Sequence, residues 1–260
     1  MNQPSSAIHN QLIIEQFTQQ AIPFANKLEH SKESSLKLLL SVSGVSTEDT
    51  VLDVACGPGI VACAFAEVAQ HVTGIDITPA MIERAKLLQQ EKQLQNVTWL
   101  LSDILPLPYP DGSFSMVISR YAFHHFTNPK EVMSEMVRVC SPTGKVMVVD
   151  FAPSPEKVDA YNYVEKLRDP SHTRALTLAE FQDMAVSVGL HIIKTEFYQL
   201  EMKLEKQLQA SFPKPGDADK IRQLFREDLG HDRLGMGAHL VGKEIHFAYP
   251  TAIIIGQKGY

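Results

Sequence analysis

Cysteine is scarce, and what is present does not pair. Cys56, Cys63 and Cys140 are odd in number, sit in apolar segments and form no CxxC couple. That excludes a zinc ribbon or redox dithiol and fits free thiols in a reducing compartment. Metal-ligand spacing is missing too: the ten histidines include no HExxH, Asp150 stands without companion acids, and no metal is expected. Positive charge is not in excess. Lys and Arg total 24 against 30 Asp and Glu, a formal net charge of −6, which argues against a nucleic-acid substrate, whose phosphates call for a basic face. There is no long apolar run either. The apolar stretch without charge from Val54 to Ala66 contains Gly-Pro-Gly and is shorter than the ~20 residues of a membrane span. No basic segment followed by an apolar one opens the chain. The expectation is a cytoplasmic protein with no stable membrane insertion.

What is there is apolar enough for a substantial core: 44% of 260 residues are hydrophobic, too many for a disordered chain. Residues 1–48 read as a helical cap, with Ile13, Ile14, Phe17 and Ala21 at helical spacing. From Thr50 the pattern alternates. Short apolar runs at 51–55, 71–76, 97–101, 114–119 and 145–151 are separated by helical segments, including 60–69, 78–91 and the stretch that starts at Asn128-Pro129. Such continuous runs between helices indicate a parallel sheet covered on both faces. Thr177 with Glu180 three residues on reads as a capping box. Residues 191–202 read as a sixth strand, 203–246 as a charged, largely helical insertion, and 247–260 as the final strand. Residues 49–202 with 247–260 make the expected core. The insertion's apolar residues Leu204, Leu208, Ile221, Leu224 and Phe225 are expected, with the N-terminal helices, to cap a pocket.

The informative segment is Val51-Leu52-Asp53-Val54-Ala55-Cys56-Gly57-Pro58-Gly59. A strand runs into a tight turn where glycine lets a ligand approach the backbone, at the strand end where such sheets bind ligands. Asp76, seventeen residues after Gly59, ends the second strand and can accept from both hydroxyls of a ribose. Gly57-Pro58-Gly59-Ile60-Val61-Ala62 also satisfies the dinucleotide fingerprint, so a nucleotide-dependent oxidoreductase is a competing reading. The acid Asp53 speaks against it: a carboxylate there repels a pyrophosphate and suits a cationic sulfonium. Asp103, after the third strand, can accept from an adenine amino group.

Together with Gly74-Ile75-Asp76 and Met81, Asp103 with Leu107-Pro108, Ser119 to His125, and Arg138 to Gly144, this segment resembles class I S-adenosylmethionine-dependent methyltransferases. The resemblance is to their ubiquinone/menaquinone-biosynthesis-like (type 11) branch and is strong over about residues 50–151. It implies a Rossmann-like α/β sheet of seven strands with the last antiparallel. It also implies S-adenosylmethionine held by Asp53, Ala55, Cys56, Gly57 and Gly59. The ribose would rest on Asp76 beside Ile77 and Met81, and the adenine beside Asp103 and Ile104. Backbone near Ser119 and Arg120 would face the methionine part. Thr143 departs from the pattern, where the branch has glycine.

For the acceptor side, Tyr121, His124, Arg168 and His172 are the candidates, with one of the adjacent pair His124-His125 facing the pocket as a base. The expected reaction transfers a methyl group to an O, N or C atom of a small organic acceptor, aromatic or quinone-like among others. A binder of the cofactor without catalysis and an NAD(P)-dependent oxidoreductase are the alternatives. The reading leaves room for a homodimer.

Overall fold

The computed structural model describes residues 6–25 and 33–259. The remainder of the expected N-terminal cap, residues 1–5 and 26–32, lies outside them. The chain begins with helices α1 (Ser6–Ala25) and α2 (Glu33–Ser43), then alternates β1 (Thr50–Val54), α3 (Ile60–Ala66), β2 (His71–Asp76), α4 (Pro79–Glu91), β3 (Val97–Leu101) and β4 (Phe114–Arg120). A short 3-10 turn at Phe123–His125 leads to α5 (Pro129–Val139) and β5 (Cys140–Phe151). Helices α6 (Val158–Arg168) and α7 (Leu178–Ser187), strand β6 (Leu190–Lys203), helices α8 (Leu204–Gln209) and α9 (Asp217–Asp228) and the hairpin β7 (His239–Val241)–β8 (Glu244–Lys258) complete it.

The sheet order is β3-β2-β1-β4-β5-β8-β6, with β7 attached to β8. Strands β1 to β5 pair in parallel, and β8 runs antiparallel to both β5 and β6. The seven expected strands are present, with β7 as an eighth. Side chains of a strand alternate between faces, so a run apolar throughout feeds two cores. Leu52, Val54, Val117, Val146 and Val148 pack with Met133 and Met136 of α5 and Phe181 of α7. Val51, Met116, Ile118, Met147 and Val149 pack with Leu39 of α2 and Phe65 of α3 on the other face.

Local signals hold in detail. Thr177 Oγ1 accepts from the Glu180 N–H at 3.3 Å while Glu180 Oε2 accepts from the Thr177 N–H at 2.8 Å. Two expectations need correction. The helix expected over 60–69 stops at Ala66, with 67–70 in turns. The largely helical reading of 203–246 fails after Asp228: Gly242, at φ +63°, turns β7 into β8, which starts at Glu244. The strand escaped the sequence reading because β7 is only three residues long and exposed throughout, so it carries no inward-outward alternation. The insertion's Leu204, Leu208, Ile221 and Phe225 are buried with Tyr161, Phe247 and Tyr249 in a third core.

Candidate functional site

Neighbouring strands β1 and β4 are where chain progression reverses: β1 leads outward to β2 and β3, β4 the other way to β5. Ligands of open α/β sheets bind beyond the carboxyl ends of the strands at such a switch point. There the structure has a cleft open to solvent. It is lined from the β1 turn, the β2 and β3 ends, the β4 turn and α1. Two non-glycine residues at its edge adopt left-handed backbone, Ala55 at φ +56° and Tyr121 at φ +57°. Strain held at the tips of the two switch-point strands is the pattern of a functional site.

The cofactor-side candidates converge here, though not all in the same way. Ala55, Cys56, Gly57, Asp76, Ile77, Met81, Asp103, Ile104 and Arg120 line the cleft. Asp76 accepts from the Gly57 N–H (2.8 Å) and the Thr78 N–H (2.8 Å), so the acid clamps the glycine turn. Burial pushes the Asp76 carboxyl up against these bonds. Asp103 is exposed; Oδ1 accepts from the Ile104 N–H at 2.6 Å and Oδ2 from Asn10 Nδ2 of α1 at 2.7 Å.

Asp53, Gly59 and Ser119 are not among the lining residues. Asp53 lies buried behind the turn with Oδ2 lacking a hydrogen-bond partner, and burial pushes its carboxyl up to about 8. Gly59, at φ +78°, faces packing: a Cβ there would come within 2.6 Å of Trp99 and 2.8 Å of Ala85 Cβ. Gly57, at φ +52°, has nothing within 4 Å of a virtual Cβ. Ser119 Oγ donates to the Val54 carbonyl at 2.9 Å and ties the two switch-point strands together. The Arg120 guanidinium lies 4.5 Å from the Tyr121 ring centroid and donates to Ser35 Oγ of α2 at 3.4 Å.

Of the acceptor-side candidates, Tyr121 lines the cleft and pairs hydroxyl to hydroxyl with Tyr198 at 2.5 Å. His124, Arg168 and His172 do not line it. His124 Nδ1 meets Asp150 Oδ1 at 2.6 Å, both side chains buried. Arg168 is bound through Nε and Nη2 to Glu165 of its own helix at 2.7–2.9 Å and reaches Ser211 Oγ at 3.2 Å. His172 donates from Nε2 to Asn162 Oδ1 at 2.7 Å. Their side chains tie the 3-10 turn to β5, α6 to the insertion, and the loop after α6 back to α6.

Sequence reasoning placed His124 at the site; the lining member of the pair is His125. Its Nδ1 lies 3.1 Å from Ser171 Oγ, which donates to Asp169 Oδ1 at 2.6 Å. Nothing local in the sequence marks this chain, because the three residues meet only in the folded state. Helix α1 supplies His9, Asn10, Ile13 and Phe17 to the lining, while no residue of 203–246 reaches it. The insertion acts at one remove: the Ser211 carbonyl accepts from Gln16 Nε2 at 2.6 Å and holds α1 down. Among the described residues no helix is long and apolar enough to cross a membrane, and no group of three His, Cys, Asp or Glu is placed to hold a metal.

A family described as methyltransferase domain matches residues 52–148, the stretch from β1 to β5. The chain is 30% identical over 247 residues to the uncharacterized methyltransferase YcgJ of Bacillus subtilis, covering 93% of this chain and 97% of that one. The crystal structure of YcgJ superposes with a TM-score of 0.79 at 27% identity, over 87% of this chain and 99% of that one. A methyltransferase candidate of Bacillus halodurans gives 0.80 at 25% identity over 87% and 100%. Demethylmenaquinone methyltransferase of Thermus thermophilus is 34% identical over 108 residues, 41% of this chain and 49% of that enzyme. With the switch-point cleft, the glycine turn clamped by Asp76 and near-full-length similarity to YcgJ, the chain belongs to the class I S-adenosylmethionine-dependent methyltransferases.

Proposed function

We propose that the cleft binds S-adenosylmethionine and that the protein methylates an O, N or C atom of a small organic acceptor held under α1. The observation that supports this most directly is the Asp76–Gly57 clamp. It leaves a carboxylate at the end of β2 with further lone pairs for a ribose diol, beside a glycine with open space before it. The residues suit the cofactor. Asp103, which lines the cleft, would accept from the adenine amino group, and Ile77, Met81 and Ile104 would form apolar walls around it. Arg120 carries a positive charge for the carboxylate of the methionine part, and Asp53 backs the turn with an unpartnered oxygen. When bound, the cofactor supplies an electrophilic methyl group on a sulfonium sulfur. The protein's own contribution is to position the acceptor, exclude water through α1, and receive any proton released.

The test is calorimetric titration of the purified chain with S-adenosylmethionine, S-adenosylhomocysteine, NAD and NADP, repeated on Asp76→Ala. The expected result is binding of the two sulfur nucleotides only. Losing two hydrogen bonds to a charged acceptor weakens it by about 100-fold or more, and a thermal melt confirms that the variant is folded. Binding of NAD or NADP instead, or of none of the four, overturns the proposal.

A further inference from the structure

His125 is set apart from its histidine neighbours by what its ring touches. A carboxylate only accepts hydrogen bonds, so the Ser171 hydroxyl gives its proton to Asp169 Oδ1 (2.6 Å). Ser171 Oγ must then accept from His125 Nδ1–H at 3.1 Å. That arrangement selects the tautomer and leaves Nε2 with a lone pair in a residue that lines the cleft. Asp169 is anchored from several directions. It accepts from the Ser171 N–H (2.9 Å) and from Gln20 Nε2 of α1 (3.1 Å), and Arg168 Nη1 stands 3.7 Å away.

The surroundings keep the imidazole neutral. The groups facing it are His124 (ring centroids 4.2 Å), His172 (6.4 Å), Asp169 and Arg168, while α1 places the Phe17 ring edge-on at 5.0 Å. Burial and the neighbouring His124 lower the His125 pKa, outweighing Asp169. His9 Nε2 donates to the His125 carbonyl at 2.7 Å and fixes the backbone beneath. Ile13, Phe17, Ala122, Phe126 and Val132 supply apolar walls to the same cleft.

We propose that His125 Nε2 is the base for a neutral, phenol-type hydroxyl on an apolar acceptor, with Ser171 and Asp169 as positioning residues. The proposal rests on the methyl-transfer reading above and names its acceptor class. An oxygen lone pair of the acceptor forms the new O–CH3 bond, and the S–CH3 bond breaks with its electron pair left on sulfur. The hydroxyl proton passes to Nε2. The proton becomes strongly acidic only as the O–C bond forms, so a neutral imidazole of low basicity suffices to capture it. The imidazolium is then stabilised through Ser171 by the Asp169 carboxylate, and the proton leaves to solvent when the product departs. A neutral amine acceptor needs no base during the transfer itself, and a hydroxyl does.

The test is 15N-histidine NMR of the full chain with S-adenosylhomocysteine bound, which by itself reports whether the cofactor reading holds. His125 is assigned by its loss in His125→Asn. The expected spectrum shows protonated Nδ1 and bare Nε2, and Ser171→Ala shifts the balance toward the Nε2–H form. Adding 4-fluorophenol moves the Nε2 resonance toward the hydrogen-bonded range, and 4-fluoroanisole, which lacks the proton, does not. An Nε2–H tautomer in the parent overturns the proposal, as does a tautomer indifferent to Ser171→Ala. So does a phenol that fails to bind or leaves Nε2 unmoved. Failure of S-adenosylhomocysteine to bind counts against the cofactor reading instead.

Discussion

Asp53→Asn should change the pH dependence of stability in a direction fixed by the buried environment. In the folded chain burial raises the carboxyl from 3.8 to about 8, with the Ala62 N–H and Arg120 working against the rise and Asp76 adding to it. A group bound more tightly to its proton in the fold contributes stability that is complete below pH 4 and is lost as the pH rises toward 8. At 1.36 kcal/mol for each tenfold change in proton affinity, the ceiling is roughly 6 kcal/mol. Relaxation around the ionised group reduces the expected loss to ~2–4 kcal/mol. Asparagine keeps the shape and an acceptor for Ala62, but has two amide N–H where the protonated parent has one O–H at an oxygen without a partner, and the additional unpaired donor costs ~1–3 kcal/mol independent of pH. The two curves therefore cross. Urea unfolding followed by circular dichroism should find Asp53→Asn less stable than the parent at pH 5 and equal or more stable at pH 8.5. A constant difference between the two proteins from pH 5 to 9 would refute the reasoning and mean that Asp53 is ionised throughout.

The two turn glycines should separate fold from binding. Gly59→Ala, with its Cβ 2.6 Å from Trp99, should cost ~2–4 kcal/mol in a thermal or urea melt. Gly57→Ala, with open space before it, should cost only the ~1–2 kcal/mol of its left-handed backbone but weaken S-adenosylhomocysteine binding measurably by calorimetry. Equal stability losses would show that both glycines serve packing. Thr143 is exposed at φ +62°, a left-handed backbone that favours glycine over a β-branched residue. Thr143→Gly should raise stability by ~0.5–1 kcal/mol, relief of strain exceeding the added chain entropy, and leave ligand binding unchanged.

The strand–turn–helix device, the parallel sheet and the order of its acids were legible because each is a local pattern. Apolar runs of strand length between helical segments, glycines after β1 and an acid closing β2 are read within a few residues of one another, and so is the Thr177–Glu180 cap. The exposed hairpin of β7 was not legible, since a three-residue strand exposed throughout shows no alternation of buried and exposed positions. Nor could the sequence distinguish Gly57 from Gly59, which look alike in the motif; one faces open space in the cleft and the other the Trp99 ring. The acceptor side was the least legible. His124, Arg168 and His172 are polar residues in the right neighbourhood, yet each is consumed by another partner: the buried Asp150 and Glu165 and the half-buried Asn162 respectively. His125 sits next to His124 in sequence and differs from it only through Ser171 and Asp169, more than forty positions away. The sequence by itself determined the architecture and the glycine turn after β1, because backbone conformation and strand-end chemistry are written locally. Tertiary structure alone decided which histidine opens onto the cleft and that α1 closes over it, because side-chain direction and the pairing of buried polar groups exist only once distant segments are packed together.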